Sequence, residues 1–113
     1  MNSHELREWM DTHGIINRTI SGFWNYLYSF KNEEPLQFEL NYPLMEIDRL
    51  EPHLSSISFT MNYQYEERIE LVTCALVIKY HGKKVGMYES LYSLAGEDLD
   101  DFLKITYQSS LPA

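Results

Sequence analysis

One carboxylate in the second half of the chain falls where the predicted sheet is apolar. Glu89 lies between Met87 and Leu91, and alternate residues of a strand point to the same face. An unpaired carboxylate on an apolar face is costly, which makes Glu89 a candidate for ligand binding or acid–base chemistry. The alternative is a structural position at an edge, where Glu89 reaches water or a tyrosine hydroxyl. Both interpretations stay open at this point.

Two groups of acidic residues could form a charged surface. They are Glu66, Glu67 and Glu70 in the middle of the chain, and Glu97, Asp98, Asp100 and Asp101 near its end. We expect the first group to decorate a solvated turn and the second to favour a helix amino terminus. Neither group has the alternating Asp spacing of a calcium-binding loop. We expect the acidic residues either to attract a basic protein partner electrostatically or to form a surface that mimics a phosphate backbone.

The histidines, the cysteine and the glycines of the chain do not have the spacing of a known metal-binding or catalytic motif. The histidines at 4, 13, 53 and 81 fall in predicted termini and turns, without the ligand spacing of a zinc site. The single cysteine, Cys74, lies in an apolar run and is expected to be a buried, inert thiol. The sequence contains no phosphate-binding glycine loop and no nucleophile elbow. We therefore predict no catalytic residue, no metal ligand and no cofactor, and a non-enzyme is favoured over an enzyme.

Length and charge restrict the class of protein further. A chain of 113 residues with 44% hydrophobic residues can build one core, so residues 1–113 are predicted to form a single domain. The net charge of −8 argues against unassisted nucleic-acid binding, which needs clustered Lys and Arg. The longest apolar run is too short to span a membrane, and the polar start does not resemble a signal peptide. We expect a cytoplasmic protein without a membrane partner.

The elements that position these residues are helices followed by strands. Apolar spacing predicts a helix from Ser3 that stops at His13-Gly14, and a second, aromatic helix over Ile16 to Phe30. Alternation predicts a strand at Leu36–Leu40 and a long strand over residues 56–65. Two more strands, over 68–80 and 84–92, meet at a hairpin turn around Gly82. A final helix, opened by Gly96, would place Leu99, Phe102, Leu103 and Thr106 on one face.

This pattern predicts an α+β fold. N-terminal helices precede an antiparallel meander of three to four strands, and the C-terminal helix packs on the sheet. A tight turn at Glu66-Glu67 would place Met61 opposite Val72 and Ile57 opposite Leu76. One apolar face then combines Val72, Cys74, Leu76 and Ile78 with Val85, Met87, Glu89 and Leu91. The second face would carry Thr60, Asn62, Leu71, Thr73, Ala75, Val77, Tyr88 and Tyr92.

The second face has two interpretations. Either the helix over Ile16 to Phe30 covers it within the chain, or it meets a protein partner or a second copy, since tyrosine-rich amphipathic surfaces suit interfaces.

Two functions of different class follow. The first is a small, acidic, non-enzymatic protein-binding module of the inhibitor, immunity or chaperone kind, with a homodimer as one form. Its predicted contact residues are Thr73, Val77, Tyr88 and Tyr92, with Glu66, Glu67, Asp100 and Asp101 as steering groups. The second is a small-molecule binder or enzyme, with a pocket lined by Glu89, Tyr63 and Trp24. A subunit that only completes a larger assembly is a third possibility.

Overall fold

The computed structural model describes residues 1–63 and 68–107, where three helices precede a four-stranded sheet. The elements are α1 (Ser3–His13), α2 (Ile15–Glu33), α3 (Pro35–Asn41), a 3₁₀ turn (Ile47–Arg49), β1 (Leu50–Asn62), β2 (Ile69–Tyr80), β3 (Lys83–Ser93) and β4 (Asp98–Ile105). The strands form an antiparallel meander in the order β1-β2-β3-β4. The predicted α+β class and antiparallel sheet are confirmed. The assignment of residues 1–113 to one domain stays a prediction.

Local sequence sets the first two helices. The side chain of Asn2, rather than Ser3, caps α1 by accepting a hydrogen bond from the Glu5 backbone N–H at 2.8 Å. Gly14 ends α1 in the left-handed conformation, with φ of 59°, as the predicted stop requires. The chain then enters α2 directly, whose buried residues repeat every fourth position: Ile15, Thr19, Phe23 and Leu27. This repeat gives α2 a single stripe that faces the sheet.

The helices cover one face of the sheet, which we call the helix-covered face. It consists of Val72, Cys74, Leu76 and Ile78 on β2 with Tyr88, Ser90 and Tyr92 on β3. Phe23 and Leu27 of α2 and Phe38 of α3 pack in one core cluster with Leu76 and Ile78. Trp9 and Met10 of α1 join a second cluster around Cys74 and Tyr92, so the predicted buried thiol is confirmed. The result is two layers, with α2 on the strongly apolar face and not on the second one.

Two predicted elements at the sheet's periphery are wrong. Residues 36–40 form the helix α3 instead of a strand, because Pro35 suits a first helical position and only Phe38 is buried. The C-terminal segment forms β4 instead of a helix. Its backbone pairs with β3, from Gly86 opposite Ile105 to Tyr92 opposite Asp98. Pairing with β3 satisfies backbone groups that would otherwise be left unpaired, and this outweighs a short helical spacing.

The register of the first hairpin also differs from the prediction. Phe59 lies opposite Val72 and Ile57 opposite Cys74, which is two positions away from the predicted pairing. A shift of two keeps the same side chains on the same face. The predicted turn residues Glu66 and Glu67 lie outside the described residues. In the second hairpin Tyr80 pairs with Lys83, so the predicted turn at His81-Gly82 is confirmed.

Candidate functional site

The second face of the sheet lies opposite the helices, and we call it the open face. Its members are Leu71, Thr73, Ala75, Val77 and Lys79 on β2, Lys84, Met87, Glu89 and Leu91 on β3, and Asp100, Phe102 and Lys104 on β4. On β1 this face is completed by small polar side chains, with Ser56 opposite Ala75 and Ser58 opposite Thr73. Ala75 is enclosed by its neighbours, while Phe102 is 53% exposed. The open face is therefore apolar at its centre and polar toward β1.

A β-bulge on β3 decides which residues reach the open face. Lys79 pairs with Lys84 but Ile78 pairs with Gly86, so Val85 is an extra residue on β3. One extra residue inverts the alternation of everything that follows. Met87, Glu89 and Leu91 consequently lie on the open face, and Tyr88 and Tyr92 on the helix-covered face. The predicted membership of both faces along β3 is wrong for this reason.

The two tyrosines lie beneath α2 and form hydrogen bonds there. Tyr92 and Tyr88 are each 1% exposed. The Tyr92 hydroxyl lies 2.7 Å from Thr19 Oγ1, and the Tyr88 hydroxyl donates to Asp101 Oδ2 at 2.6 Å. Burial, and then the hydrogen bond to the Asp101 carboxylate, raise the pKa of Tyr88 above its ordinary range. Buried in this way, neither side chain lies beside Thr73 and Val77 on an exposed surface.

Glu89 occupies the middle of the open face. It lies opposite Ala75 on one side and Phe102 on the other, and it is half-buried. A groove of about 640 Å³ between β3 and β4 brings Glu89 together with Met87, Phe102 and Lys104. The groove is a surface feature, since Phe102 and Lys104 on its wall are exposed. Glu89 is thus an accessible carboxylate within an apolar surround.

The charges of the groove have no partners within residues 1–63 and 68–107. Among these residues neither the Glu89 carboxylate nor the Lys104 ammonium has a hydrogen bond or a salt bridge to another side chain. The salt bridges of arginine lie elsewhere, such as Arg18 with Asp98 at 3.3 Å and Arg49 with Glu46 at 2.8 Å. The groove therefore carries one central carboxylate, Glu89, and two lysines, Lys84 and Lys104, on its walls.

The remaining predicted site residues are not brought together. Tyr63 is 70% exposed beyond the end of β1, and Trp24 lies on α2, where its ring packs 4.9 Å from Phe23. Trp24 is remote from the Glu89 groove because α2 covers the other face, and Tyr63 is remote because β1 and β4 are opposite edges of the sheet. Asp101 bonds to Tyr88 on the helix side, and Asp100 pairs with Leu91 in the strand register. Glu66 and Glu67 lie outside the described residues.

Phe102 and Lys104 are the site residues that the sequence did not indicate. Both fall in the segment predicted as a helix, where Phe102 was expected to face the sheet. The alternation of Asp101, Leu103 and Ile105, half-buried, with Phe102 and Lys104, exposed, is the strand pattern that could have found them. The bulge at Val85 had a signal as well, because Gly86 is a glycine inside a strand pattern, which suggests a bulge or a close backbone approach.

Comparison with known proteins adds no identification. The chain matches no protein-family model, no curated protein and no solved structure. Within the described residues, no helix combines the length and the apolar character that a membrane crossing requires. The functional argument therefore depends on the geometry of the open face.

Proposed function

We propose that the protein is a non-enzymatic binding module that docks a basic protein partner on its open face. The observation that carries this proposal is the unpaired Glu89 carboxylate, surrounded by Met87, Leu91, Phe102 and Ala75. The partner would present an apolar surface with a lysine or arginine at its centre. An inhibitor, an immunity-type protein or a chaperone-type factor would act in this way.

The cost of burying a charge explains why the partner should be cationic. Any protein that covers the open face removes water from Glu89, and an unpaired buried carboxylate costs several kcal/mol, on the order of the penalty for a desolvated ion. A lysine or arginine opposite Glu89 offsets this cost, whereas a purely apolar surface does not. The apolar ring around Glu89 would exclude water from the pair, as in the centre of binding hot spots.

The same argument makes a second copy of the chain the weaker candidate. A symmetric dimer applies the same patch of each subunit to the other. Stacking two open faces about their centres would bring two Glu89 carboxylates toward each other, and like charges in contact cost several kcal/mol. The net charge of −8 also repels a second copy and attracts a basic protein from a distance.

A library of random peptides displayed on phage tests this proposal directly. Selection on the wild-type protein should enrich sequences that combine Lys or Arg with aromatic or aliphatic residues. Glu89→Lys should weaken binding of a selected peptide by about tenfold or more, because a central charge pair becomes a repulsion. Glu33→Lys is the matched control, since it changes the net charge equally at an exposed position at the end of α2.

A second pair of variants tests the apolar part of the surface. Phe102→Ser should weaken the same peptide, whereas Leu36→Ser, at an 82% exposed position on α3, should not. Enrichment of acidic peptides, or equal weakening by Glu89→Lys and Glu33→Lys, would contradict the proposal. Light scattering on a sizing column should give a monomer at low and moderate salt. If the wild-type protein is instead a dimer and the Phe102→Ser variant is a monomer, the occupant of the open face is a second copy of the chain and not a basic partner.

A further inference from the structure

A second concave site lies on the opposite side of β4 from the Glu89 groove. It is a cleft of about 630 Å³ between α2 and β4. Asn17, Ser21 and Asn25 line its helical wall at intervals of four residues, which places them in one row along α2. Eight residues of helix span about 12 Å, so this row is as long as an extended small molecule.

The floor of the cleft contains a serine hydroxyl that has no partner among the described residues. Ser90 on β3 lines the cleft, yet the residue is only 6% exposed. Its Oγ has no hydrogen bond within residues 1–63 and 68–107. In that same part of the chain every fully enclosed side-chain nitrogen or oxygen has a partner, so the Ser90 hydroxyl opens into the cleft. A hydroxyl in this position is free to bond to a ligand.

Close packing fixes the acidic wall beside Ser90. A Cβ at Gly22 would stand 2.8 Å from the Tyr88 hydroxyl oxygen, so the absence of a side chain lets Tyr88 reach across beneath α2. There the hydroxyl donates to Asp101 Oδ2 at 2.6 Å and holds that carboxylate at the cleft.

The charge of the cleft is negative after its internal salt bridge is counted. Asp98 and Asp101 line it, and Arg18 is its one cation within residues 1–63 and 68–107. Arg18 is engaged with Asp98 at 3.3 Å, and its guanidinium also lies 4.9 Å from the Tyr92 ring centroid. Asp100 borders the cleft, but it lies opposite Leu91 in the sheet, on the side of the open face. The Asp101 carboxylate therefore remains to be matched by a ligand. The shape and charge together suit an elongated organic cation with several N–H donors.

We propose that the α2–β4 cleft binds a small organic cation through its ammonium or guanidinium group. The cationic group donates to Asp101 and reaches Ser90 Oγ, while the row of Asn17, Ser21 and Asn25 contacts the rest of the molecule. Such a group occurs in free amines and in arginine side chains. This site does not depend on the open face, and it adds a ligand to the proposed protein-binding function.

Calorimetric titration with agmatine tests the site, with 1,4-butanediol as a neutral probe of similar chain length. Agmatine should bind saturably at one site, and butanediol should not bind. Asp101→Asn keeps an oxygen that accepts from Tyr88 but removes the charge, and Ser90→Ala removes the hydroxyl. Each should weaken agmatine by about tenfold, the order expected for one charged or buried hydrogen bond. Circular dichroism should confirm that both variants stay folded.

Asp48→Asn supplies the matched control. Asp48 is exposed on the 3₁₀ turn before β1, away from the cleft, so its loss changes the net charge alone. Agmatine affinity should stay within about twofold of the wild type, since a remote exposed charge contributes little. Absence of saturable binding, or equal weakening by Asp48→Asn and Asp101→Asn, would overturn the proposal.

A short capped arginine peptide, titrated in parallel, identifies the source of the cationic group. Tighter binding of agmatine indicates a free amine as the ligand, and tighter binding of the peptide indicates an arginine side chain of a protein.

Discussion

Strand β2 presents two faces that are built from similar residues but have different surroundings. Val72, Cys74, Leu76 and Ile78 point toward the helices and are each 0% exposed. Leu71, Thr73 and Val77 alternate with them and stay half-buried on the open face. Hydrophobicity along the strand separates the two faces only in part, since Thr73 and Ala75 are the smaller or more polar residues of the open face. The rest of the separation comes from the buried stripe of α2, which packs on one side only.

The difference assigns separate tasks to the two faces. Burial of apolar surface contributes roughly 25 cal/mol per Å², so the helix-covered face supplies most of the stability. The open face contributes less to the stability of the fold, because it buries less apolar surface. The charge of Glu89 at its centre lowers that contribution further. A face that contributes little to folding can retain a charge for recognition.

The largest contrast is expected between two phenylalanines. Phe23 is 0% exposed between α2 and the sheet, and Phe102 is 53% exposed on the open face. Phe23→Ala should lower the free energy of unfolding by about 3–5 kcal/mol, because it leaves a core cavity. Phe102→Ala should cost no more than about 1 kcal/mol, since much of the ring is already in water. Urea denaturation measures both, and similar losses would contradict the division of tasks.

Two valines of β2 provide a closer match, because the strand and the side chain are the same. Val72 is 0% exposed, and Val77 is half-buried on the other face. Val72→Ala should cost about 2–3 kcal/mol and Val77→Ala less than about 1 kcal/mol. Thermal unfolding of the two variants gives the comparison. A larger loss at Val77 would mean that the open face is itself covered.

A smaller effect is expected from the buried hydroxyl pair beneath α2. Thr19 Oγ1 donates to the Ile15 carbonyl at 2.8 Å, so the Tyr92 hydroxyl donates to Thr19. Tyr92→Phe removes this donor but leaves Thr19 with a partner. The expected loss is about 1 kcal/mol, the net value of one hydrogen bond. Peptide affinity should not change, because Tyr92 is not on the open face. A large loss of affinity would restore Tyr92 as a contact residue.

The last prediction is confined to alkaline solution. The pKa of Tyr88 is raised in the folded protein above the ordinary value of 10.0, by burial and by Asp101. A group with a raised pKa contributes stability that is complete below its unfolded pKa and is lost at higher pH. The urea concentration at the midpoint of unfolding should therefore decrease as the pH is raised above about 10, and Tyr88→Phe should make that decrease smaller. Tyr63→Phe, at a 70% exposed ring, is the control and should keep the wild-type decrease.

Strong local patterns made much of the fold predictable from the sequence. The alternation through β1, the apolar run of β2 and the turn at His81-Gly82 led to the correct antiparallel pairing of β1, β2 and β3, although not to the register of the first hairpin. The stop at Gly14 and the apolar repeat from Ile16 to Leu27 led to the correct helices. In each of these segments several residues agree on one structure, and such agreement is what makes a sequence specify its fold.

The site was less predictable, for two physical reasons. The bulge at Val85, which only the neighbouring Gly86 signals in the sequence, adds one residue to β3. It moves Glu89 to the open face and Tyr88 to the helix-covered face, the reverse of the prediction. The segment of β4 has helical spacing at Leu99, Phe102 and Leu103. It forms a strand because its backbone pairs with β3, which the local sequence does not show. Glu89 was recognised as unusual, but its neighbours Phe102 and Lys104 were not.

Methyl-group NMR of the protein with a selected basic peptide tests the central claim most directly. Alternation along β2 and β3 puts reporters for the two faces side by side on the same strands. The methyl signals of Leu71, Val77, Met87 and Leu91 should shift on saturation with the peptide. Those of Val72, Leu76 and Ile78 should stay near their free positions. Shifts confined to Leu36 and Leu40 of α3, or no shift on the open face, would contradict the claim that this face is the docking surface.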